Sequence, residues 1–213
     1  MAVVKCNPMK LAPMPFDSNQ MTQTGNGTKV FIAGSRRLSR LNHDVRRRLD
    51  TIVDKGFTVI LGDANGADRA VQQYLSSKGY SNVLVFCMDS GCRNNVGGWP
   101  TRTIAAAHPL RRDFAYYSTK DRATSEAADY GLMLWDGRSR GTLTNIVHLV
   151  REGKPVVVYV APERCFYTLR QASQLAEVVS RFDPSALARI NGELEALQTP
   201  ASSSRKADTA LLF

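Results

Sequence analysis

Five short apolar runs, separated by segments of helical pattern, constrain the fold of this chain more than any other feature. The runs occupy residues 29–34, 57–62, 82–88, 130–135 and 154–160. Apolar runs of this length are typical of parallel strands that are buried on both faces. Strands that alternate with helices indicate βαβ units. We therefore expect a Rossmann-like, three-layer α/β fold with a mostly parallel, five-stranded sheet and C-terminal helices.

The segments between and after these runs predict helices. The predicted helices span residues 42–55, 67–78, 119–129, 139–152, 168–181 and 184–197. Asn42 is a favourable N-cap for the first helix, and Gly56 suits its C-terminus. Residues 89–118 show no clear period, and a loop of this length is uncommon inside a compact domain unless it is functional or mobile.

These patterns divide the chain into four parts. We expect a flexible N-terminal arm at 1–28, a Rossmann-like domain at 29–160, a helical extension at 161–197 and a disordered tail at 198–213. The arm and the tail are rich in small and polar residues and lack apolar periodicity. The apolar face of the C-terminal helices has two interpretations: it caps the sheet, or it pairs with a second subunit in a homo-oligomer.

The positive charge of the chain lies in its central part. The 213 residues carry a net charge of +9. Residues 29–160 hold 20 Lys and Arg against 12 Asp and Glu, which places most of this excess in the predicted domain. Such an excess favours an anionic ligand, either a nucleotide or a nucleic acid. The alternative is a solvated basic surface with no specific partner.

The cysteine content and the absence of long apolar stretches favour a cytoplasmic protein with no membrane partner. Four cysteines are too few for a dense secreted framework, so we expect free thiols in a reducing compartment. Cys87 and Cys92 have a loose metal spacing, but a zinc site needs two further ligands and only His108 lies nearby. We therefore predict no metal site. No stretch approaches the ~20 apolar residues of a membrane helix.

Ligands bind outside the carboxyl ends of the strands in open α/β sheets, so the strand-to-helix loops are the candidate site. The first loop contains Gly34, Ser35, Arg36 and Arg37. The glycine permits close approach of a ligand, the serine donates a hydrogen bond, and an arginine binds phosphate in bidentate fashion. The alternative is a simple turn. The loop is not G-x-G-x-x-G, so NAD is not indicated and no cofactor is predicted.

The second loop places two carboxylates between glycines at the start of a helix. Gly62, Asp63, Gly66, Asp68 and Arg69 are its candidate residues. Asp68 has the alternative role of a favourable charge in the first helical turn, worth about 0.3–1 kcal/mol. Asp63 follows a buried strand directly, and a sugar hydroxyl is a natural partner for its carboxylate.

The third loop, which follows the fourth run, carries the most specific signal. Its chain turns through glycines and opens a helix whose free N–H groups, together with hydroxyl side chains, form an anion site. The candidate residues of this loop are Trp135, Asp136, Gly137, Ser139, Gly141, Thr142 and Asn145. Asn145 lies one turn beyond Thr142 on the same helix face, within reach of the same ligand.

The three loops together resemble those of the SLOG superfamily. The patterns that carry the resemblance are Gly-Ser-x-Arg, Gly-Asp-x-x-x-Gly-x-Asp-Arg and Asp-Gly-x-Ser-x-Gly-Thr, within residues 29–160. That superfamily includes the DNA-processing Smf/DprA proteins and the Lonely Guy-type nucleotide hydrolases, and the YspA/YpsA-related branch is the most similar. The third loop is also similar to that of nucleoside 2-deoxyribosyltransferases and deoxynucleotide N-hydrolases.

The resemblance implies a Rossmann-like fold with a nucleotide-derived ligand at the strand edge. Gly34, Ser35, Gly66, Gly141 and Thr142 would then line the phosphate and ribose site. The resembling hydrolases cleave the N-glycosidic bond between base and sugar phosphate, using a glutamate after the third glycine-rich loop. Asn145 stands at that place in this chain, and an amide cannot act as a general base.

Three functions are therefore open. A nucleotide N-glycosidase needs a carboxylate for the oxocarbenium-like sugar and an acid for the leaving group. We expect Asp63 as the reacting carboxylate and Asp136 as the orienting one, with Asp68 as the third carboxylate at this edge. The second function is a sensor that binds a nucleotide-derived signal without catalysis, which the missing glutamate favours. The third and least favoured is DNA or RNA binding, because no nucleic-acid motif is visible.

Overall fold

The computed structural model of the chain describes residues 27–105 and 114–182. The predicted arm before residue 27, the predicted helix at 184–197 and the predicted tail at 198–213 lie outside the described residues. None of the helices within the described ranges is long and apolar enough to cross a lipid bilayer.

A single seven-stranded sheet forms the centre of the described structure. Its strands are β1 (Lys29–Gly34), β2 (Thr58–Leu61), β3 (Val83–Met88), β4 (Thr101–Ile104), β5 (Tyr130–Trp135), β6 (Val156–Val160) and β7 (Cys165–Leu169). Their order across the sheet is β4-β3-β2-β1-β5-β6-β7. All neighbours pair in parallel except β6 and β7. The prediction of an α/β fold with a mostly parallel sheet is confirmed, but the strand number of five is wrong.

Helices cover both faces of the sheet, because alternate strand residues point to opposite sides. The helices are α1 (His43–Asp54), α2 (Ala67–Ser77), α3 (Phe114–Ala127), α4 (Arg140–Arg151) and α5 (Ala172–Ser180). In β1, Val30 and Ile32 belong to the core that contains the buried residues of α1 and α2. Phe31 and Ala33 belong to the opposite core, which contains those of α4 and α5.

Side-chain N-caps begin two of the helices that follow parallel strands. The Asn42 side chain accepts a hydrogen bond from the Val45 N–H at 2.9 Å, as predicted for the start of α1. Ser139 caps α4 by accepting a hydrogen bond from the Thr142 N–H at 3.4 Å. Both caps lie at the carboxyl end of the parallel strands, since each helix follows a strand and runs back across the sheet.

Two strands were not expected. β4 lies within the segment predicted as a loop and pairs with β3, while β7 extends the sheet beyond residue 160. The helix predicted from residue 168 is therefore wrong at its start, because residues up to Leu169 are in β7 and α5 begins only at Ala172. The buried Cys165, Phe166 and Tyr167 of β7 pack in the sheet.

The cysteines at the end of β3 differ from the expectation of free thiols. Cys87 and Cys92 form a disulfide, with their Cα atoms 5.0 Å apart. The pairing closes the turn that follows β3, where the Met88 carbonyl also accepts a hydrogen bond from the Gly91 N–H at 3.0 Å. Within the described ranges, no group of three or more His, Cys, Asp or Glu side chains is arranged to hold a metal ion.

Candidate functional site

A cavity of about 640 Å³ opens at the carboxyl ends of the central strands. The strand order reverses between β1 and β5, so the loops that follow these two strands diverge and leave a crevice between them. The predicted site residues that line this cavity are Gly34, Arg36, Arg37, Gly62, Asp68, Asp136, Ser139, Gly141, Thr142 and Asn145. Residues from all three predicted loops therefore meet in one place.

The remaining predicted residues lie outside the cavity lining. Arg69 is exposed on α2, and Trp135 is buried in the core with its indole N–H donating to the Ser139 carbonyl at 3.2 Å. Ser35 is fully buried, and its Oγ accepts a hydrogen bond from the Asp136 N–H at 3.1 Å. Gly137 has a φ of +80° and lies in the turn before α4. Ser35 and Trp135 therefore connect the loops by hydrogen bonds rather than face the cavity.

Gly34 and Gly66 permit close packing around the crevice. A Cβ at Gly34 would lie 2.6 Å from the Leu134 carbonyl oxygen, so only glycine lets β1 and β5 approach here. Gly66 has a φ of +82°, and a Cβ there would lie 2.2 Å from the Arg36 carbonyl oxygen. Gly66 therefore brings the first two loops into contact, and it does not line the cavity as the resemblance implied.

Asp136 shapes the turn that leads into α4. Its Oδ1 accepts hydrogen bonds from the backbone N–H groups of Arg138 at 3.0 Å and Ser139 at 2.7 Å. Burial opposes ionisation of this carboxyl, but these donors outweigh it and hold the pKa of Asp136 below its ordinary value. The carboxylate thus fixes the conformation of this loop, and its role in a glycosidase reaction stays a prediction.

The N-terminus of α4 faces the cavity. Ser139, Gly141 and Thr142, which form its cap and first turn, all line the cavity. A Cβ at Gly141 would have no heavy atom within 4 Å, so the space over this turn is open. The first N–H groups of a helix lack intrahelical acceptors and carry the positive end of the helix dipole, which makes this end suitable for an anion.

Asn145 presents a buried amide at the same cavity. The residue is only 5% exposed, and its Oδ1 has no hydrogen-bond donor among the described residues. A buried acceptor without a partner costs about 1–3 kcal/mol. A ligand hydroxyl or N–H group in the cavity would supply the missing donor, since Asn145 belongs to the lining.

Asp63 is engaged in a buried ion-pair network behind the cavity lining. Arg93 donates to it from Nη2 at 2.7 Å, from Nε at 3.2 Å and from its backbone N–H at 3.1 Å. Lys120, which is 2% exposed, donates to Asp63 Oδ1 at 2.8 Å. Burial opposes ionisation, but Arg93 and Lys120 outweigh it and hold the pKa of Asp63 far below its ordinary value.

Asp68 has the opposite environment, although it lies in the same loop. It is 6% exposed, and its Oδ2 accepts a hydrogen bond from the Ala64 N–H at 3.2 Å. Burial raises the pKa of Asp68 to about 6, although the positive charge of Lys120 opposes the rise. Asp68 lines the cavity, so the carboxyl with the raised pKa lies at the site itself.

Sequence reasoning missed the contribution of the segment after β3 and of α3. Arg93, Tyr117, Lys120 and Asp121 all line the cavity. The Arg93 guanidinium lies 4.7 Å from the centre of the Tyr117 ring. A usable signal was present in α3, because Tyr117, Lys120 and Asp121 have the i, i+3, i+4 spacing that places side chains on one helix face.

The structure also brings Arg138 and Arg140 to the cavity. Both lie in the third loop, but they were not among the predicted site residues. The signal was their position beside the N-terminus of a helix, where a cation strengthens an anion site.

Comparisons with known proteins do not assign the chain to a family. No protein-family model matches it, and no curated protein matches it significantly. The SLOG resemblance therefore rests on the three loop motifs and stays a prediction.

Proposed function

We propose that this is a Rossmann-like protein that binds a nucleotide in the cavity between the β1 and β5 loops and hydrolyses its N-glycosidic bond. The observation that carries the proposal is the convergence, in one cavity, of a helix N-terminus, a buried amide and a carboxyl with raised pKa. The helix N-terminus suits a phosphate, the buried amide suits a sugar hydroxyl, and the carboxyl suits a proton transfer. The SLOG-like loop motifs support the same assignment.

The phosphate binds at the first turn of α4. The open space over Gly141 gives an anion access to the backbone N–H groups, and the hydroxyls of Ser139 and Thr142 lie beside them. Thr142 Oγ1 already contacts Ser139 Oγ at 3.0 Å and Ser35 Oγ at 3.4 Å. The hydroxyls are therefore held in place before the ligand arrives, which reduces the entropy that binding must overcome.

The sugar lies next to the phosphate, over Asn145. This residue is in α4, one turn after Thr142, and its amide has the unmet acceptor described above. A sugar hydroxyl both donates and accepts hydrogen bonds, which matches an amide. With the phosphate at the start of α4 and the sugar over Asn145, the base lies toward α2 and α3.

Asp68 supplies the proton that the leaving base requires. In the reaction, the bond between the sugar C1′ and the base nitrogen breaks and the base leaves with the proton of Asp68, while water adds its hydroxyl group to C1′ and returns its other proton to the Asp68 carboxylate. A general acid is most effective when its pKa lies near the operating pH, and Asp68 meets this condition. Asp121 is a further carboxyl on the same cavity wall. Burial raises its pKa, Lys120 and Arg93 oppose the rise, and its ionised form would offset positive charge on the sugar.

The test is base release from a panel of ribo- and deoxyribonucleotides, followed by chromatography. We expect free base from at least one nucleotide with the wild type. Asp68→Asn should reduce release by at least 100-fold, in keeping with the contribution of general acids of about 10²–10⁴. Asp54→Asn, which removes an exposed carboxylate at the end of α1, is the matched control and should retain full activity.

A non-catalytic sensor is the second candidate, and Asn145 is the observation that favours it. The residue stands where the resembling hydrolases carry their glutamate, and its amide cannot act as a general acid or base. Nucleotide binding by calorimetry without base release from any member of the panel would support the sensor. Absence of both binding and release would refute the nucleotide proposal as a whole.

A further inference from the structure

Two groups can be distinguished among the cations that line the cavity, and both members of the first group are paired with a carboxylate. Arg93 and Lys120 both pair with Asp63, at 2.7 and 2.8 Å. Lys120 is buried, so its pairing with Asp63 is shielded from solvent. Asp63 offsets one of their two positive charges and holds both cations in place, so a ligand phosphate would have to compete with this carboxylate for them.

The second group consists of Arg36, Arg37 and Arg138, none of which has a carboxylate within 4 Å in the described part of the chain. All three line the cavity and are exposed. Asp136 is the nearest carboxylate in sequence to Arg138, but backbone N–H groups already occupy its Oδ1. None of these three guanidinium groups is therefore in an ion pair, although the charge of Arg36 acts on Asp121 from a longer distance.

The three arginines come from opposite sides of the crevice. Arg36 and Arg37 follow β1, Arg138 follows β5, and α4 begins two residues later. The start of α4 adds about half a positive charge. A terminal monophosphate carries about two negative charges at neutral pH. Because a monophosphate is compact, it cannot contact all three arginines and the start of α4, and part of the positive charge of the crevice would stay without a partner.

From this excess we infer that the ligand carries a pyrophosphate group, as in a nucleoside diphosphate. This inference rests on the proposed function and specifies its substrate class. One phosphate lies on the first turn of α4, and the second is bound by the arginines of both loops. The cavity of about 640 Å³ falls within the range of about 300–1,000 Å³ typical of small-molecule sites, which accommodates the additional phosphate.

Isothermal titration calorimetry with matched mono- and diphosphates of the same nucleosides tests the inference, with inorganic phosphate and pyrophosphate as fragments. We expect the diphosphate to bind at least 10-fold more tightly than the monophosphate, and pyrophosphate more tightly than phosphate. Arg138→Gln and Arg37→Gln should each weaken diphosphate binding by at least 5-fold and monophosphate binding by less. Arg47→Gln removes an exposed arginine of α1 that does not line the cavity, so it should change neither affinity.

The outcomes separate the two proposals. Equal affinity for the mono- and diphosphate, or an advantage of the diphosphate that survives both arginine substitutions, would overturn the pyrophosphate inference and leave nucleotide binding intact. Equal losses in Arg47→Gln would show that only general surface charge matters and would also overturn it. Failure of every nucleotide to bind would refute the proposed function itself.

Discussion

The buried carboxyl of Asp68 should make the protein less stable at neutral pH than it would be with an amide in its place. Burial raises the pKa of Asp68 from 3.8 in the unfolded chain to about 6 in the fold. Since the folded-state pKa is the higher one, protonated Asp68 stabilises the fold below pH 3.8, and this contribution is lost as the pH rises through 6. The full loss is about 3 kcal/mol, because each pKa unit corresponds to about 1.4 kcal/mol.

Asp68→Asn removes this titration and keeps the acceptor for the Ala64 N–H. The stability of the variant relative to the wild type should therefore increase by about 2 kcal/mol between about pH 4.5 and pH 7.5. Urea denaturation at both pH values measures this, and any pH-independent effect of the substitution cancels in the difference. The other charged groups around Asp68, namely Lys120, Asp121 and Asp63, are present in both proteins.

The control is Asp54→Asn, which removes an exposed carboxylate and should show no comparable pH-dependent gain. If Asp68→Asn gains no stability relative to the wild type between the two pH values, the carboxyl is not held in the environment described here. Its assignment as the proton donor would then lose its physical basis. If the gain appears and base release falls in the same variant, Asp68 destabilises the fold but is required for activity.

Two further substitutions test the packing of the site. Asp63→Asn leaves the buried Lys120 without its carboxylate, and the free energy of unfolding should fall by about 3–5 kcal/mol in a denaturant titration; a change below about 1 kcal/mol would contradict the buried ion pair. Gly66→Ala should lower the melting temperature, because its φ is positive and the new Cβ would clash with Arg36. Backbone strain of this kind costs about 1–3 kcal/mol, whereas Gly141→Ala, with open space around the new Cβ, should cost nothing.

The strands that the sequence predicted are those that contain a run of apolar residues. β1, β5 and β6 are apolar along most of their length because helices cover both faces of the sheet. β4 has the sequence Thr-Arg-Thr-Ile and is largely exposed at the sheet edge, so its strand state depends on pairing with β3 and leaves no apolar run. β7 was not predicted, and the helix predicted from residue 168 overlaps only its last two residues.

The predicted loops meet at the cavity because the carboxyl ends of parallel strands share one edge. This geometric rule needs no side-chain detail, so most of the residues chosen from the three loops line the cavity. The contribution of α3 could not follow from the same rule. It depends on how the chain after β3 returns to the crevice, where Tyr117 contacts Arg93 and Lys120 reaches Asp63.

The choice between Asp63 and Asp68 as the reacting carboxyl depends on which groups surround each of them in the fold, and these neighbours cannot be deduced from the sequence. Two carboxyls with pKa values displaced in opposite directions are the usual arrangement of an acid–base site. Asp63 remains ionised and holds Lys120, whose charge limits the rise in the pKa of Asp68.

Loss of the Asp63 charge would lower the pKa of Asp68, because Asp63 raises it and Lys120 would then act on it without competition. Reduced base release in Asp63→Asn would therefore not identify Asp63 as the reacting group. A shift of the pH–rate profile to more acidic pH would instead show that Asp63 acts through Asp68.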